Sequence, residues 1–242
     1  MRIPRIYQEQ ALSNGAVVTL DDNGANHVAR VLRLKVGAPL ILFNGDGNEY
    51  DAVVHAIGKR TVDVVLTSAR QRDVESPLHI TLAQGISKGE RMDHVVQKAV
   101  ELGVTRIVPL LTEHCAVNLS GERLYKRLRH WQAIAISACE QCGRNRLPQI
   151  ESPLELKQWL AQEQEGLRLV LDPLAVTTMA QIAAPRGKAT LLIGPEGGLS
   201  EGEIRSAQDC GYHGVRLGPR VLRTETAALA AVSVVQSLWG DF

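Results

Sequence analysis

Aromatic residues make up only 4% of the 242-residue chain. Packing must rest on Ala, Val and Leu, and a surface of many stacking platforms is excluded. Excess charge is lacking too: 27 Lys and Arg stand against 26 Asp and Glu, a net of +1. No global field draws the chain to nucleic acid, so affinity for a polyanion must come from local patches. No apolar run reaches the length of a membrane-spanning helix, and the opening MRIPRIYQEQ lacks the apolar core of a secretory signal. These absences predict a soluble, cytoplasmic protein with no membrane partner. Cys115, Cys139, Cys142 and Cys210 are too few and too scattered for a disulfide framework in a chain this long. Cys139 and Cys142 form a CxxC, but no second pair completes four zinc ligands, and no metal site is expected. The simple reading is two small helical residues with reduced thiols; a redox pair is the alternative.

From Ala16 to about Gln71 short β-branched runs dominate. AVVTL, PLILF, EYDAVVHAI and TVDVVLTSA are separated by NGDGN and GKR, which read as hairpin turns and together suggest a small β-barrel. One segment, HVARVLRLKVG (His27–Gly37), has helical spacing, with Gly37 beyond its end. The polar piece QRDVESP changes the rhythm and reads as a linker, giving domains 1–72 and 73–242.

Beyond Pro77 strands and helices alternate, the pattern of an α/β fold with a mostly parallel sheet. HITLAQG, RIVPLLT, LRLVLDP, ATLLIGP and GVRLGP are the strand candidates. Helical spacing runs over Arg91–Leu102, capped by Gly103, and over a long amphipathic stretch from Leu124 toward Cys142. Ser152 with Pro153 and Glu155, and Ser200 with Glu203, predict capping boxes; Gly211 closes the second helix. The final stretch, Glu225–Leu238, is apolar around most of its circumference, predicting burial on more than one side, against the core and a partner chain.

Two loops carry the chemistry. IGPEGGLS (Ile193–Ser200) follows an apolar strand and opens a capped helix, so its glycines allow backbone to approach a ligand at the carboxyl edge of the sheet. It lacks the GxGxxG and GxxxxGK[ST] spacings of dinucleotide and phosphate loops, which argues against a dinucleotide-dependent oxidoreductase. LGPRVLRTETAALA (Leu217–Ala230) places Arg220 and Arg223 around an apolar pair and offers Thr224 as a helix cap; its amides and arginines suit an anion or a polar planar group. With LVLDP (Leu169–Pro173), three loops could converge into one pocket. His27, His94 and His114 have no ligand-like spacing and read as structural.

These two loops closely resemble the C-terminal motifs of the SPOUT superfamily of knotted methyltransferases, and specifically the ribosomal RNA small subunit methyltransferase E family. KGERMDHVVQKAVELGVTRIVPLLTEHCAV (Lys88–Val117) and EQCGRNRLP (Glu140–Pro148) resemble that family's other signatures, with Cys142 where serine is common. HVARVLRLKVG resembles a segment of its PUA-like barrel, so the likeness spans nearly the whole chain. It implies an N-terminal, RNA-binding PUA-like β-barrel, a SPOUT domain with a deep trefoil knot, and a homodimer with active sites near the subunit interface. The implied reaction is S-adenosyl-L-methionine-dependent methylation of N3 of a uridine in 16S ribosomal RNA, on the assembled 30S subunit.

Carried over by position, the donor pocket would be lined by Leu171, Gly194, Pro195, Glu196, Gly198, Leu217, Gly218, Leu222, Arg223, Thr224 and Ala227. Uracil N3 must lose a proton, which calls for a general base or a cation that stabilises the anion. Arg223 is the expected cation and Glu196 the favoured carboxylate; Glu225 is the alternative, set against a plain helix-dipole role. Arg2, Arg5, Arg30 and Arg33 in the barrel, and Lys88, Arg91, Arg144 and Arg146 beyond it, are the expected RNA phosphate contacts. A target base must leave its stack to reach such a pocket, so a loop or single-stranded junction is expected. A ribose 2′-O-methyltransferase and a non-catalytic ribosome-assembly protein are the rival functions.

Overall fold

The β-branched runs pair as sheets in the computed structural model, which describes residues 3–116, 121–163 and 165–242. Two compact units result, one comprising Met1–Glu75 and Cys139–Leu147, the other Ser76–Ala138 and Pro148–Phe242. In the first unit the elements are β1 (Arg5–Tyr7), β2 (Val17–Thr19), α1 (Asp22–Asn26), β3 (Pro39–Phe43), β4 (Asn48–Ile57) and β5 (Val62–Gln71). They form a five-stranded sheet of order β1-β3-β4-β5-β2, in which only β1 and β3 run parallel. Alternation sets its core: Tyr50, Ala52 and Val54 of β4 and Val62, Val64 and Leu66 of β5 all point inward with Ile6, Val28 and Leu42.

The expected His27–Gly37 helix is corrected here. Asp21 accepts the Gly24 amide at 2.6 Å and starts α1 five residues earlier; a π-helical turn over His27–Val31 follows. Arg33 then takes φ 53°, which stops the helix well before Gly37. Gly37 instead turns the chain into β3, its amide bonded to Val54 O.

The second unit contains β6 (His79–Gly85), α2 (Glu90–Glu101), β7 (Arg106–Leu111), α3 (Gly121–Cys142, whose last turn belongs to the first unit), β8 (Gln149–Ile150), β9 (Leu154–Glu155) and α4 (Leu156–Leu160). It continues with β10 (Leu167–Leu171), β11 (Lys188–Ile193), α5 (Glu201–Asp209), β12 (His213–Val215) and α6 (Thr224–Trp239). The sheet order is β12-β10-β11-β6-β7-β8, with β9 also on β7, and every pairing is parallel. Parallel strands need helices on both faces. Ala83, Val108, Val170 and Leu192 pack under Trp159 of α4 and Ala207 of α5, while α6 packs on β6, β11 and α2. Since all strands point one way, the loops after β6, β10, β11 and β12 emerge at one edge.

Helix ends follow local chemistry with two exceptions. Ser200 and Glu203 form the expected reciprocal box, and Gly103 and Gly211 take φ 84° and 82°. The box expected at Ser152–Glu155 does not form: Leu154 and Glu155 pair with Leu110 and Leu111 as β9, and α4 starts at Leu156 with no side-chain cap. Thr224 is the first residue of α6 rather than its cap; Arg223 holds that position, without a side-chain cap bond. On α6 itself Ala228, Ala231, Val232 and Val235 are fully buried, whereas Ala227, Leu229, Ala230 and Val234 are half-exposed.

Candidate active site

Close backbone contact builds the site. At the end of β6 a Cβ on Gly85 would meet Pro195 N and Cδ at 2.6 Å, and one on Gly194 would meet Gly198 C and Leu199 N at 2.7 Å. Only glycine lets the IGPEGG loop fold on itself against β6. A buried polar knot of three residues holds this base. Gln84 Nε2 donates to Thr224 Oγ1 at 2.9 Å and to Gly194 O at 3.3 Å, and Thr224 Oγ1 donates to Gly194 O at 2.7 Å. The Thr224 hydroxyl thus serves the loop instead of the helix end. Gln84 and Gly85 were not singled out from sequence; the available signal was a polar Gln-Gly ending an apolar strand.

Above that base the loops after β10, β11 and β12 enclose a cavity of about 380 Å³. This lies in the range of roughly 300–1,000 Å³ common for small-molecule and cofactor sites. Leu171, Gly194, Pro195, Glu196, Gly198, Leu217, Gly218, Leu222, Thr224 and Ala227 all line it, joined by Ile193, Val215 and Ile204. Arg223, at the N-cap of α6, is exposed and is not part of the lining, whereas Arg220 and Val221 are.

The carboxylates divide sharply. Glu196 accepts the Lys88 amide at 2.9 Å and the Arg91 guanidinium at 2.8 Å. Burial alone would raise its pKa, but its own amide, the Lys88 amide and Arg91 outweigh that and hold the carboxyl below the usual carboxylate range. Glu225, in the first turn of α6, lies with Oε1 4.0 Å from Arg91 Nε, while its Oε2 is buried without a hydrogen-bond partner. Arg91 therefore stands between the two acids.

The expected phosphate contacts also separate. Arg5 is buried and pairs with Glu49, which also takes Arg70 at 3.0 Å and Arg72 at 2.8 Å; Arg5 further donates to Asn145 Oδ1. Arg144 is equally buried and pairs with Glu75 at 2.5 Å. The expectation that Arg5 and Arg144 meet phosphate is corrected, since both guanidinium groups are committed to the interior. Arg30, Arg33, Lys88 and Arg146 are exposed, Arg91 is half-committed to Glu196, and Arg2 lies outside the described residues.

Cys139 and Cys142 form no disulfide; hydrogen bonding between them and then burial push the Cys139 thiol far up. A thiol held protonated is a poor redox nucleophile. His114 Nδ1 lies 3.1 Å from Gly197 O, a contact that steadies the glycine loop. No cluster of metal-ligating side chains occurs among the described residues, and no helix among them is long and apolar enough to cross a membrane.

Comparison with known proteins gives this geometry a family. Residues 74–236 match the RNA methyltransferase domain family, and residues 20–67 match the RNA methyltransferase PUA domain family. The chain is 37% identical over 241 residues to ribosomal RNA small subunit methyltransferase E of Buchnera aphidicola, covering 99% of this chain and 98% of that one. It is 33% identical to the Mycobacterium bovis protein of that name, covering 96% and 92%. Among solved structures, ribosomal RNA small subunit methyltransferase E from Neisseria gonorrhoeae, bound to S-adenosyl methionine, superposes with a TM-score of 0.93 at 41% identity over 100% of both chains. The chain belongs to the ribosomal RNA small subunit methyltransferase E family.

Proposed function

We propose that this protein transfers a methyl group from S-adenosylmethionine to N3 of one uridine in small-subunit (16S) ribosomal RNA, acting on the assembled 30S subunit in the cytoplasm. The observation that carries the reading is the glycine-floored, largely apolar cavity at the carboxyl edge of β10, β11 and β12. Its chemistry fits the donor: Leu171, Leu217 and Leu222 supply apolar walls, and the bare backbone at Gly194 and Gly198 supplies amides for a polar planar ring. Bound there, the sulfonium supplies an electrophilic methyl group.

The protein's own task is to position the uracil and manage its N3 proton. Glu225 is read as the acceptor because its Oε2 is buried without a hydrogen-bond partner, whereas Glu196 already takes the Lys88 amide and Arg91 on its Oε1. Arg223, exposed at the start of α6 with no ion-pair partner among the described residues, is the cation that stabilises charge developing on the uracil. Glu196 orders the loop through Arg91. From the family resemblance we read the second unit as knotted through its C-terminal segment and the first as a closed, RNA-binding barrel. Dimerisation is read from the exposed Leu174, Val176 and Val221, at 86%, 85% and 83% exposure, and the half-exposed face of α6.

Titration calorimetry and methyl transfer from labelled S-adenosylmethionine test the reading together. Binding of the donor, with transfer to small subunits that lack the modification, is expected. A chain that binds the donor yet labels neither subunits nor naked RNA has another substrate; one that binds no donor is not a methyltransferase.

A further inference from the structure

The exposed half of α3 is a strongly charged face that the active site does not use. Between Glu122 and His130 it carries Arg123, Lys126, Arg127 and Arg129 against one acid, in a chain whose net charge is only +1. Spacings of three and four place Arg123, Lys126, Arg127 and His130 along one stripe; Tyr125 and Arg129, four apart, share another. Tyr125 is 64% exposed, and Arg123, Lys126 and Arg129 are exposed beside it.

Few of these charges are spent within the fold. Lys126 pairs with Glu122 at 3.1 Å in full solvent, a weak contact, and Arg127 lies 3.7 Å from Asp93. Arg123 and Arg129 have no ion-pair partner among the described residues. Asp93 also accepts His130 at 2.9 Å and Trp131 Nε1 at 3.1 Å, which fixes this part of α3 against the first turn of α2. That same turn carries Arg91, bound to Glu196 and facing Glu225. The basic face therefore extends outward from the helix that borders the candidate active site.

We propose that this face of α3 is a contact surface for the RNA backbone, with Tyr125 a stacking platform beside Arg129. The inference rests on the RNA-methyltransferase reading above and names a surface through which its substrate is held. Unpaired cations flanking a single exposed aromatic suit a phosphate chain with an unstacked base. The core of a protein interface, by contrast, is depleted of charge.

The test uses the full chain and deproteinised small-subunit ribosomal RNA, with fluorescence anisotropy across a salt series. Arg123→Ala, Lys126→Ala and Arg129→Ala combined should weaken binding at least tenfold at low salt. The combined change should also flatten the dependence of log K on log salt by about two units, at roughly 0.7–0.9 per phosphate contact. Tyr125→Ala should lose several-fold in affinity with the slope unchanged. All four positions are exposed, so the thermal transition and the affinity for S-adenosylmethionine should match wild type. Wild-type affinity and slope in the triple variant would overturn the proposal. So would a variant that keeps RNA affinity but no longer binds assembled subunits, since the partner would then be protein. If the wild-type chain binds the donor but neither RNA nor assembled subunits at any salt, the substrate reading itself has failed; binding to subunits alone would overturn only the RNA-backbone surface.

Discussion

Two groups of arginines, one in each unit, serve opposite ends. In the first, Arg5 is buried against Glu49, which also gathers Arg70 and Arg72, and Arg144 is buried against Glu75; these side chains tie together segments as far as 140 residues apart. In the second, Arg220, Arg223, Arg123 and Arg129 are exposed, while Arg91 bridges the two acids at the site. The difference teaches that an arginine's role is set by whether an acid reaches it in the fold. A buried guanidinium without its carboxylate is costly, whereas a solvated one is free to meet a substrate anion or phosphate.

The comparison can be broken most forcefully at the site. Glu225→Gln should lower single-turnover methyl transfer by roughly 10²–10⁴-fold, the usual contribution of a general base, with donor affinity unchanged. Glu196→Gln should cost far less in rate and show mainly as weaker donor binding. Equal losses from both would mean that the free Glu225 oxygen has no special role. Next in size, Glu49→Ala should destabilise the first unit by about 3–5 kcal/mol in chemical denaturation, because Arg5 is left buried and unpaired. Burial would raise the Glu49 carboxyl, but Arg72, Arg5 and Arg70 reverse this and hold it below its ordinary value. Its stabilisation is therefore fully present above the unfolded-state pKa and is lost as pH falls through the depressed folded one. Glu49→Gln should flatten that acid limb of the stability curve. An unaltered limb would remove Glu49 from the account.

Gly194→Ala should weaken donor binding tenfold or more by calorimetry, since the added Cβ meets Gly198 and Leu199 backbone at 2.7 Å. The smallest expected change is Ser200→Ala, which deletes one side of a formed capping box and should cost about 1 kcal/mol of stability. A cost near zero would show that the Glu203 half of the box suffices.

Much of this was legible in the sequence because it is local. Period-two burial of Val62, Val64 and Leu66, the Ser200–Glu203 box and the glycines of the IGPEGG loop all depend on neighbours a few residues away. What could not be read depends on distant partners. Ser152–Glu155 has the grammar of a helix start, yet Leu154 and Glu155 gain more by pairing with Leu110 and Leu111. Thr224 looks like a cap until Gly194 O, 30 residues away, claims its hydroxyl. Arg5 and Arg144 share the composition of phosphate contacts, and only Glu49 and Glu75 reveal them as interior. The unpartnered Oε2 of Glu225, against a Glu196 Oε1 that takes two donors, is likewise invisible in the motifs that hold the two acids.

The central claim is chemical, and the product nucleoside tests it most directly. Small subunits carrying unmodified RNA would be incubated with the protein and labelled S-adenosylmethionine, digested, and analysed by nucleoside mass spectrometry. The account predicts 3-methyluridine as the single labelled product. A 2′-O-methyl nucleoside, or a methyl on any other base, would contradict it.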